Sequence, residues 1–369
     1  MQKTITICLS GGIDSAIAGY LLKKQGFHVK GIYMKNWATP TTKDAIPKIK
    51  SNFDMTCPFH KDYLYAQSTA EYLGIDLKLI DLQKEYWNYV FNPLLEGLSK
   101  NTTPNPDIDC NRLIKFSKLR QHIDTEYMAT GHYCQIENNR LKRAIDQFKD
   151  QSYFLCDVQD LSKVVFPLGA LLKLQVKWLA YQLSIADSTP NIFTELLRKR
   201  ESMGICFVGK QDFGAFVDQF VAPSIGQIID IYTNKSIGEH KGTHLYTIGQ
   251  GLRLSGGDSK LYILHKIKNN LYVGKYDHPL LFTTSVPIPY PIEQLSSSTV
   301  YAKIRHPSKL VKCKIENNFL IFASPIRALT PGQVVCLYQD DFVIGSFPIS
   351  KEWSLNRFLN FKDKTCSLR

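Results

Sequence analysis

The sequence predicts an α/β protein that begins with a parallel sheet covered by helices and ends with a small antiparallel β-barrel. The first 135 residues alternate short β-branched runs with helical stretches, which is typical of a parallel sheet. From about residue 225 onward the chain consists of short strand-like runs and turns, with little helical periodicity. The length of 369 residues suits two or three domains.

The first domain is predicted to bind its ligands at one edge of the sheet. Parallel strands end at the same edge, and ligands bind beyond their carboxyl ends, so the loops after Leu9, Met34 and Thr130 are expected to share one rim. The predicted framework consists of the strands TITICL (4–9), HVKGIYM (28–34), DLKLIDL (76–82) and EYMATGH (126–132), and the helices DSAIAGYLLKKQ (14–25) and KDYLYAQSTAEYLG (61–74).

The rest of the chain is predicted to hold functional insertions, a helical segment and two further domains. Residues 38–61 are irregular and residues 99–110 are rich in turn formers, which is typical of loops that carry function. Residues 171–200 are predicted to be helical and end in the basic cluster LLRKR. We expect a catalytic domain over 1–205, a central domain over 206–285 and a barrel over 286–369, with strands VYAKIRH (300–306), VKCKIE (311–316), NFLIFAS (318–324), QVVCLYQ (333–339) and FVIGSFPIS (342–350).

Charge and composition limit the partners and the compartment. The net charge of +12, from 45 Lys and Arg against 33 Asp and Glu, favours a polyanionic partner. Residues 301–314 carry five basic residues and no acidic one, which fits a nucleic-acid contact and a solvated strand face equally well. The sequence contains neither the run of about 18 apolar residues that spans a membrane nor a signal-peptide pattern, so a cytoplasmic protein is expected.

The nine cysteines are expected to be mostly reduced thiols in that compartment. No Cys-x-x-Cys pair occurs, which argues against zinc ribbons, iron–sulfur clusters and thioredoxin-like motifs. Cys57 with His60, and His240 with His244, have the spacing of metal ligands. Each pair lacks a second half nearby, so no metal site is predicted.

The segment Ser10-Gly11-Gly12-Ile13-Asp14-Ser15 joins the first strand to the first helix. The N-terminus of a helix carries unpaired N–H groups, and glycines let a phosphate approach that backbone closely. Hydroxyl groups add donors, and an acidic residue can hold Mg²⁺ against phosphate oxygens. The pattern is neither a Walker loop nor a dinucleotide fingerprint, and it predicts a pyrophosphate site. The similar LSGGDS at 254–259 leads into a strand, so no anion site is predicted there.

These residues resemble the PP-loop ATP pyrophosphatases, which cleave ATP between its α- and β-phosphates and adenylate a substrate oxygen. Eight motifs in order make the whole chain similar to the bacterial tRNA-specific 2-thiouridylases, which thiolate the wobble uridine of tRNA. The motifs are MKNW (34–37), TPNPDIDCNRLIKF (103–116), ATGHY (129–133), KDQSYFL (149–155), FPLG (166–169), GICFVG (204–209), HLYTIGQ (244–250) and TPGQ (330–333).

The resemblance implies a reaction that uses two cysteines. Cys110 matches the nucleophile and Cys206 the carrier of a persulfide, and the two match a pair able to form a disulfide. Arg112 and Lys115 are expected to favour the Cys110 thiolate, whereas the acidic residues beside it oppose that effect. Cys8, Cys134 and Cys156 are expected to be ordinary thiols, and Cys57 is left open.

The resemblance also implies ATP and Mg²⁺ as cofactors, a tRNA with a wobble uridine and a persulfide-carrying sulfur donor as partners, and a monomer. The implied ATP-binding residues are Cys8, Leu9, Ser10, Gly11, Gly12, Ile13, Asp14, Ser15, Met34 and Gly131. Asn105, Pro106 and Asp107 match the segment that meets the flipped-out target base, with Asp107 also in a catalytic role. Further implied tRNA contacts are His132, Lys149, Asp150, Gln151, Arg305, His306 and Gln333.

Three departures from the family pattern leave the reacting groups intact. Glu201-Ser202-Met203 replaces Asp-Ser-Thr before Gly-Ile-Cys, Gly251 replaces an arginine, and Ile13 and Ala16 replace Val and Ser. Two other functions fit parts of the pattern: a different PP-loop ligase, which would not use Cys110 and Cys206, and a non-catalytic tRNA-binding protein.

Overall fold

The computed structural model describes residues 2–37, 58–186, 190–199, 213–254, 260–290 and 299–366. The chain separates into two compact units. Unit 1 comprises Met1–Phe91, Pro106–Lys210 and Asp341–Val343, and unit 2 comprises Asn92–Asn105, Gln211–Asp340 and Ile344–Arg369. Most of the predicted insertion at 38–61, the predicted persulfide carrier Cys206 and the second glycine-rich string at 255–259 lie outside the described residues.

The described strands run through both units. In chain order they are β1 Thr4–Cys8, β2 His28–Lys35, β3 Leu77–Asp81, β4 Tyr127–Thr130, β5 Cys134–Glu137, β6 Arg140–Arg143, β7 Val164–Val165, β8 Gly226–Asp230, β9 Ser236–His240, β10 Gly251–Leu252, β11 Leu261–Ile267, β12 Asn270–Gly274, β13 Phe282–Pro287, β14 Val300–Lys303, β15 Val311–Glu316, β16 Phe319–Arg327, β17 Val334–Gln339 and β18 Phe342–Pro348.

The described α-helices are α1 Ile13–Lys24, α2 Pro58–Leu73, α3 Gln83–Tyr86, α4 Asn92–Ser99, α5 Pro106–Asp109, α6 Ser152–Leu155, α7 Lys173–Ala186, α8 Ile192–Arg198, α9 Phe213–Val217 and α10 Lys351–Cys366. Within the described ranges, two segments are π-helical, Trp87–Phe91 and Cys110–Lys118, and three are 3₁₀ turns, Leu119–His122, Thr243–Leu245 and Pro279–Leu281.

Unit 1 is built on the predicted parallel sheet. Its strand order is β3-β2-β1-β4-β7, and every neighbouring pair is parallel. The register aligns Cys8 with Ile32 on one side and with Thr130 on the other. The carboxyl ends of these three strands therefore lie at one edge, which confirms the expected rim.

The β-branched run of β1 forms the centre of this sheet, and its alternate side chains pack on one face against α1. Ile5, Ile7 and Leu9 are almost fully buried and belong to one cluster with Ile17 and Leu22 of α1. Full burial of such a side chain stabilises the fold by about 1.5–3 kcal/mol. The cluster therefore fixes the end of β1 and the start of α1, and with them the glycine loop between.

Two segments predicted as irregular are helical. Helix α2 begins at Pro58, so residues 58–61 belong to it. The turn-rich segment is helical from Pro106 and continues as a π-helix from Cys110 to Lys118, where the sequence predicted a loop up to residue 110. Proline is favourable at the first helical position, and Asp107 and Asp109 interact favourably with the helix N-terminus.

Unit 2 holds two further sheets, which the sequence placed in a central domain and a barrel. The first has the order β10-β11-β12-β8-β9, with β12 and β8 parallel and the other pairs antiparallel. The strands of the second that belong to unit 2 have the order β13-β16-β15-β14-β17-β18. Its core includes Val300, Leu320, Val335, Leu337 and Phe347, each at most 3% exposed. The predicted antiparallel C-terminal sheet is confirmed.

Candidate active site

The glycine loop between β1 and α1 has the geometry of an anion site. Gly11 adopts a positive φ of 71°, and a Cβ at this position would overlap the backbone carbonyl of Asp62, so only glycine fits. The Ser15 hydroxyl donates to the Gly12 carbonyl over 3.0 Å, and the Ser10 N–H donates to the Ser15 hydroxyl over 3.1 Å. Ser10 is exposed and Gly12 is half-buried, so the N-terminus of α1 is open to a ligand.

Asp14, in the first turn of α1, is held by two residues that sequence reasoning did not select. Its two carboxylate oxygens accept hydrogen bonds from the Lys173 ammonium over 2.7 and 2.8 Å. The Tyr133 hydroxyl donates to the same carboxylate over 2.8 Å. Lys173 is only 7% exposed at the start of α7, and a lysine in the apolar run LLKLQV was the one sequence signal that pointed to it.

A second lysine contacts the opposite side of the loop. The Lys199 ammonium donates to the Gly11 carbonyl over 2.6 Å and to an Asp62 carboxylate oxygen over 2.6 Å. It also lies 4.4 Å from the centre of the Tyr65 ring. The sequence pointed to Lys199 only as part of the basic cluster before Cys206, not as a neighbour of the glycine loop. Two cations, each paired with a carboxylate, therefore border the predicted pyrophosphate site.

The neighbouring strand ends meet this loop as predicted for one rim. A Cβ at Gly131 would lie 2.8 Å from the Ser15 backbone nitrogen, so the chain after β4 touches the N-terminus of α1. Met34 lies near the end of β2 and is partly buried. Cys8 ends β1, and burial raises the pKa of its thiol to about 12, with Lys115 and Arg120 acting in the opposite direction. Cys8 is therefore a protonated thiol at neutral pH.

Cys110, the predicted nucleophile, is 1% exposed at the start of the π-helix. The next residue, Asn111, donates from its side-chain amide to the Phe154 carbonyl over 2.9 Å, which ties this helix to α6. Cys156 is partly exposed. Cys206 lies outside the described residues, so its predicted pairing with Cys110 stays a prediction.

The charge expected to activate Cys110 is paired elsewhere. The Arg112 guanidinium lies 3.0 Å from an Asp109 oxygen and 3.1 Å from an Asp157 oxygen. Burial raises the pKa of Asp157, while Arg112 acts in the opposite direction. Two carboxylates thus share one guanidinium, and Arg112 contributes less positive potential at Cys110 than its place in the sequence suggested.

His132 follows β4 on the same rim. Its Nδ1 lies 2.8 Å from the Thr130 hydroxyl, and its ring lies within about 6 Å of the rings of Phe116 and Phe166. Burial, with a smaller contribution from Lys115, holds the pKa of His132 well below its ordinary value. The imidazole is therefore neutral at physiological pH and offers one donor and one acceptor.

The predicted tRNA contacts at 149–151 lie beside the segment that follows β4. Gln151 accepts from the Tyr133 N–H through its side chain over 3.0 Å and donates from its backbone to the Tyr133 carbonyl over 3.0 Å. Asp150 is 1% exposed and accepts from the Ala144 N–H over 3.0 Å and the Ser152 hydroxyl over 2.9 Å. Lys149 is half-buried. In this arrangement Asp150 supports the backbone rather than facing solvent.

In unit 2, the predicted tRNA contacts at 305 and 333 have partners within the unit. The Gln333 amide donates to the Thr103 carbonyl over 2.7 Å, and the Thr103 N–H donates to the Pro331 carbonyl over 2.8 Å. Gly332, between Pro331 and Gln333, has a φ of 87° and lies against the Thr103 backbone. The TPGQ turn thus holds the chain just before Asn105, where it passes into unit 1 at Pro106.

Arg305 and His306 follow β14, in the basic stretch of unit 2. The Arg305 guanidinium donates to the Thr330 hydroxyl over 3.1 Å and also to the Ala328 carbonyl. His306 is partly buried. Lys309, Lys312 and Lys314 are exposed, so the lysines rather than Arg305 present charge to solvent.

The described residues contain no group of three or more His, Cys, Asp or Glu side chains placed to hold a metal ion. His244 Nε2 lies 2.8 Å from an Asp218 carboxylate oxygen, and His240 Nε2 lies 3.1 Å from the Asn269 carbonyl. The two histidines with metal-like spacing are thus engaged in the packing of unit 2. No helix among the described residues is long and apolar enough to cross a membrane.

Comparison with known proteins covers almost the whole chain. The chain matches three family models: the tRNA methyl transferase HUP domain over residues 3–210, the tRNA methyl transferase PRC-barrel domain over 214–275 and the aminomethyltransferase beta-barrel domain over 288–349. It is 37% identical to the tRNA-specific 2-thiouridylase MnmA of Mycoplasma capricolum subsp. capricolum, over 95% of this chain and 99% of the relative.

Two other relatives agree. The chain is 38% identical to the tRNA-specific 2-thiouridylase MnmA of Chlamydia trachomatis serovar L2, over 94% of this chain and 97% of the relative. It is 35% identical to that of Mycoplasmopsis synoviae, over 98% of this chain and 99% of the relative. The first strand of the parallel sheet leads into a glycine loop, and the three matched domains follow one another along the chain. Because the relatives are also matched along nearly their whole length, the chain belongs to the tRNA-specific 2-thiouridylase family.

Proposed function

We propose that the protein catalyses the ATP-dependent 2-thiolation of the wobble uridine of tRNA. The observation that carries this proposal is the relationship to 2-thiouridylases over at least 94% of the chain. The glycine loop supports it, because the N-terminus of α1 and the Lys173 ammonium beside Asp14 suit the phosphates of ATP.

In this proposal the phosphates of ATP bind at the N-terminus of α1. Ser10, Gly12 and Ser15 donate hydrogen bonds, while Met34 and Gly131 border the adenosine. Mg²⁺ is usually held by one or two carboxylates together with substrate phosphates and water. Asp14 fits that requirement as the one carboxylate of the loop, and its Lys173 partner is then available to the phosphates. When bound at Asp14, Mg²⁺ would neutralise part of the negative charge of the phosphates.

The proposed chemistry begins with adenylation of the uracil. The O2 oxygen attacks the α-phosphorus of ATP, the bond between the α- and β-phosphates breaks, and pyrophosphate leaves. This step converts a poor leaving group into AMP. Reaching O2 requires the base to leave the anticodon stack, at a cost of a few kcal/mol. We assign Asn105, Pro106 and Asp107 to the segment that meets the flipped base.

Sulfur transfer completes the proposed reaction. The Cys110 thiolate attacks the sulfur of Cys206 in its persulfide, the S–S bond of the persulfide breaks, and hydrosulfide leaves with the electron pair. Hydrosulfide adds to C2, AMP leaves with the oxygen, and a proton is lost. A Cys110–Cys206 disulfide remains, which an external thiol reduces before a sulfur donor protein reloads Cys206. Asp107 precedes Cys110 by three residues in the adjoining helical segment, and we assign it as the acceptor of the thiol proton.

The partners follow from this reaction. We propose a tRNA with a wobble uridine as the substrate and a monomer that acts in the cytoplasm. His132, Lys149, Gln151, His306 and the exposed lysines of unit 2 are the proposed tRNA contacts. Asp150, Arg305 and Gln333 act by shaping these surfaces, because Asp150 is buried and the side chains of the other two bind backbone carbonyls of unit 2.

The test combines wild-type protein, unmodified tRNA, ATP, Mg²⁺ and a persulfide as the sulfur source, followed by nucleoside mass spectrometry and AMP measurement. We expect 2-thiouridine only when ATP is present. Cys110→Ser and Cys206→Ser should abolish thiolation with tRNA binding retained, and Cys156→Ser, a partly exposed thiol of unit 1, is the matched control. Retained tRNA binding by the wild-type protein without AMP or 2-thiouridine would instead indicate a non-catalytic tRNA-binding protein.

A further inference from the structure

The Lys199 ammonium has a well-defined place beside the glycine loop. It lies 2.6 Å from the Gly11 carbonyl oxygen and 2.6 Å from an Asp62 carboxylate oxygen. Its side chain is 21% exposed and that of Asp62 is 34% exposed, so the pair is partly shielded from water. The Tyr65 ring, 4.4 Å away, adds a cation–π contact on another side.

Rigid elements hold Lys199 at this point. It directly follows α8, whose N-terminus is capped by the Asn191 side chain, which accepts from the Phe193 N–H over 3.0 Å. Phe193 and Leu196 of α8 are buried in the same core as β1 and α1. The ammonium is therefore positioned by packing against the elements that flank the loop, and not by the ion pair alone.

The contact with Gly11 matters because of the peptide bond that it orients. The C=O of Gly11 and the N–H of Gly12 belong to one trans peptide and point in opposite directions. Gly11 is buried on the Lys199 side, whereas Gly12 is half-exposed at the N-terminus of α1. A peptide between two glycines turns over easily, because neither residue carries a Cβ that restricts it. If it turned over, a carbonyl oxygen rather than an N–H would face the bound anion.

We infer that Lys199, oriented by Asp62, is a positioning residue that locks the Gly11–Gly12 peptide with its N–H toward the phosphates of ATP. This inference rests on the proposed nucleotide site. It assigns to Lys199 a function exerted through the backbone, on the side of the loop away from the phosphates. Asp14 and Lys173 differ from this pair because they face the N-terminus of α1 itself.

The test compares the affinities of the full-length variants for ATP, inorganic pyrophosphate and adenosine. Lys199→Met keeps the length of the side chain and removes the donor. A hydrogen bond from a charged donor contributes about 1.5–3 kcal/mol, so ATP and pyrophosphate should bind about ten- to a hundredfold more weakly. Adenosine has no phosphate for the Gly12 N–H to meet, so its affinity should stay within about twofold. Lys199→Arg retains charge and donors and should restore ATP binding to within about threefold.

Asp62→Asn and a matched control separate this mechanism from a general loss of charge. Asp62→Asn removes the carboxylate that orients the Lys199 ammonium. Because Lys199 can still donate to the Gly11 carbonyl, this variant should weaken ATP binding less than Lys199→Met does. Lys30→Met is the control, because Lys30 forms an ion pair with Asp124 over 3.0 Å in the same unit but is 42% exposed. It should bind all three ligands like the wild type.

The outcomes distinguish this inference from the proposed function. If the wild-type protein binds neither ATP nor pyrophosphate, the proposed nucleotide site is wrong. If the wild type binds both and Lys199→Met binds them equally well, the inference alone is overturned. An equal loss of adenosine and ATP affinity in Lys199→Met would also overturn it, because that result indicates general damage to the site. A thermal melt of each variant confirms that it is folded.

Discussion

Replacing Lys173 by methionine removes the cation that both Asp14 carboxylate oxygens contact. The two hydrogen bonds measure 2.7 and 2.8 Å, and the Lys173 side chain is 9% exposed against 33% for Asp14. Methionine has a similar length and fills the same space. After the substitution Asp14 retains the Tyr133 hydroxyl as a donor but loses the Lys173 ammonium.

The structure sets the expected size of the effect. Breaking a fully buried ion pair costs about 3–5 kcal/mol, because an uncompensated charge remains, and an exposed pair contributes less than about 1 kcal/mol. With Asp14 one-third exposed, we expect a loss of about 2 kcal/mol in the stability of unit 1. For a unit of roughly 200 residues this corresponds to a decrease of about 4–8 °C in Tm.

The assay is thermal unfolding of the full-length variants by calorimetry. Lys177→Met, one turn further along α7 at an exposed position, is the matched control and should change Tm by less than about 1 °C. The decisive variant is Asp14→Asn combined with Lys173→Met. It carries no unpaired charge, so it should be more stable than Lys173→Met alone.

A double variant that loses the sum of the two single losses would refute this reasoning, because independent sites add and a coupled pair does not. A Lys173→Met variant as stable as the wild type would do the same. Either result would mean that Asp14 is stabilised by solvent and the helix N-terminus rather than by Lys173.

Three further predictions test other parts of the molecule. Burial lowers the pKa of His265 from 6.5 to about 4, so between these pH values the unfolded chain binds a proton that the folded chain does not. The stability of unit 2 should therefore fall by up to ~3 kcal/mol as the pH decreases through that window, and His265→Asn should show a smaller decrease in urea unfolding. Gly332→Ala should destabilise unit 2 by at least about 1 kcal/mol, because φ is 87° and the new Cβ would meet the Thr103 backbone. A melting curve would detect this loss, and a loss under about 0.5 kcal/mol would contradict the prediction. If the exposed lysines of unit 2 contact tRNA, the logarithm of the association constant for tRNA should fall linearly with the logarithm of the salt concentration. Lys312→Met should make that slope shallower by about 0.7–0.9, whereas an unchanged slope would mean that the tRNA binds elsewhere.

The framework of unit 1 was predictable because it depends on local patterns. The β-branched runs of β1, β2 and β4 and the helical periodicity between them predicted a parallel sheet whose strand ends share one rim. The glycine loop was predictable for the same reason, since its residues are contiguous. The segment from Pro106 to Lys118 was harder, because turn-forming residues such as Pro106 and Asp107 are also favourable at the start of a helix.

The charges around the glycine loop were not predictable in the same way. Lys173 is 159 positions from Asp14, and Lys199 is 188 positions from Gly11. No periodicity links such distant residues, and a lysine in a helical segment is usually solvated. Arg112 illustrates the converse, because its closeness in sequence suggested a role at Cys110, whereas its ion pair with the distant Asp157 could be read only from the structure.

The sequence by itself determined the α/β class, the order of the domains, the anion-binding loop and the family to which the chain belongs. These properties depend on short, contiguous motifs whose chemistry is local. Only the tertiary structure decided which cations face the loop, that Asp150 is buried and that Gln333 holds the Thr103 carbonyl. Such contacts arise when packing of the core brings distant segments together, and the free energy of that packing is distributed over many buried side chains rather than encoded in any one motif.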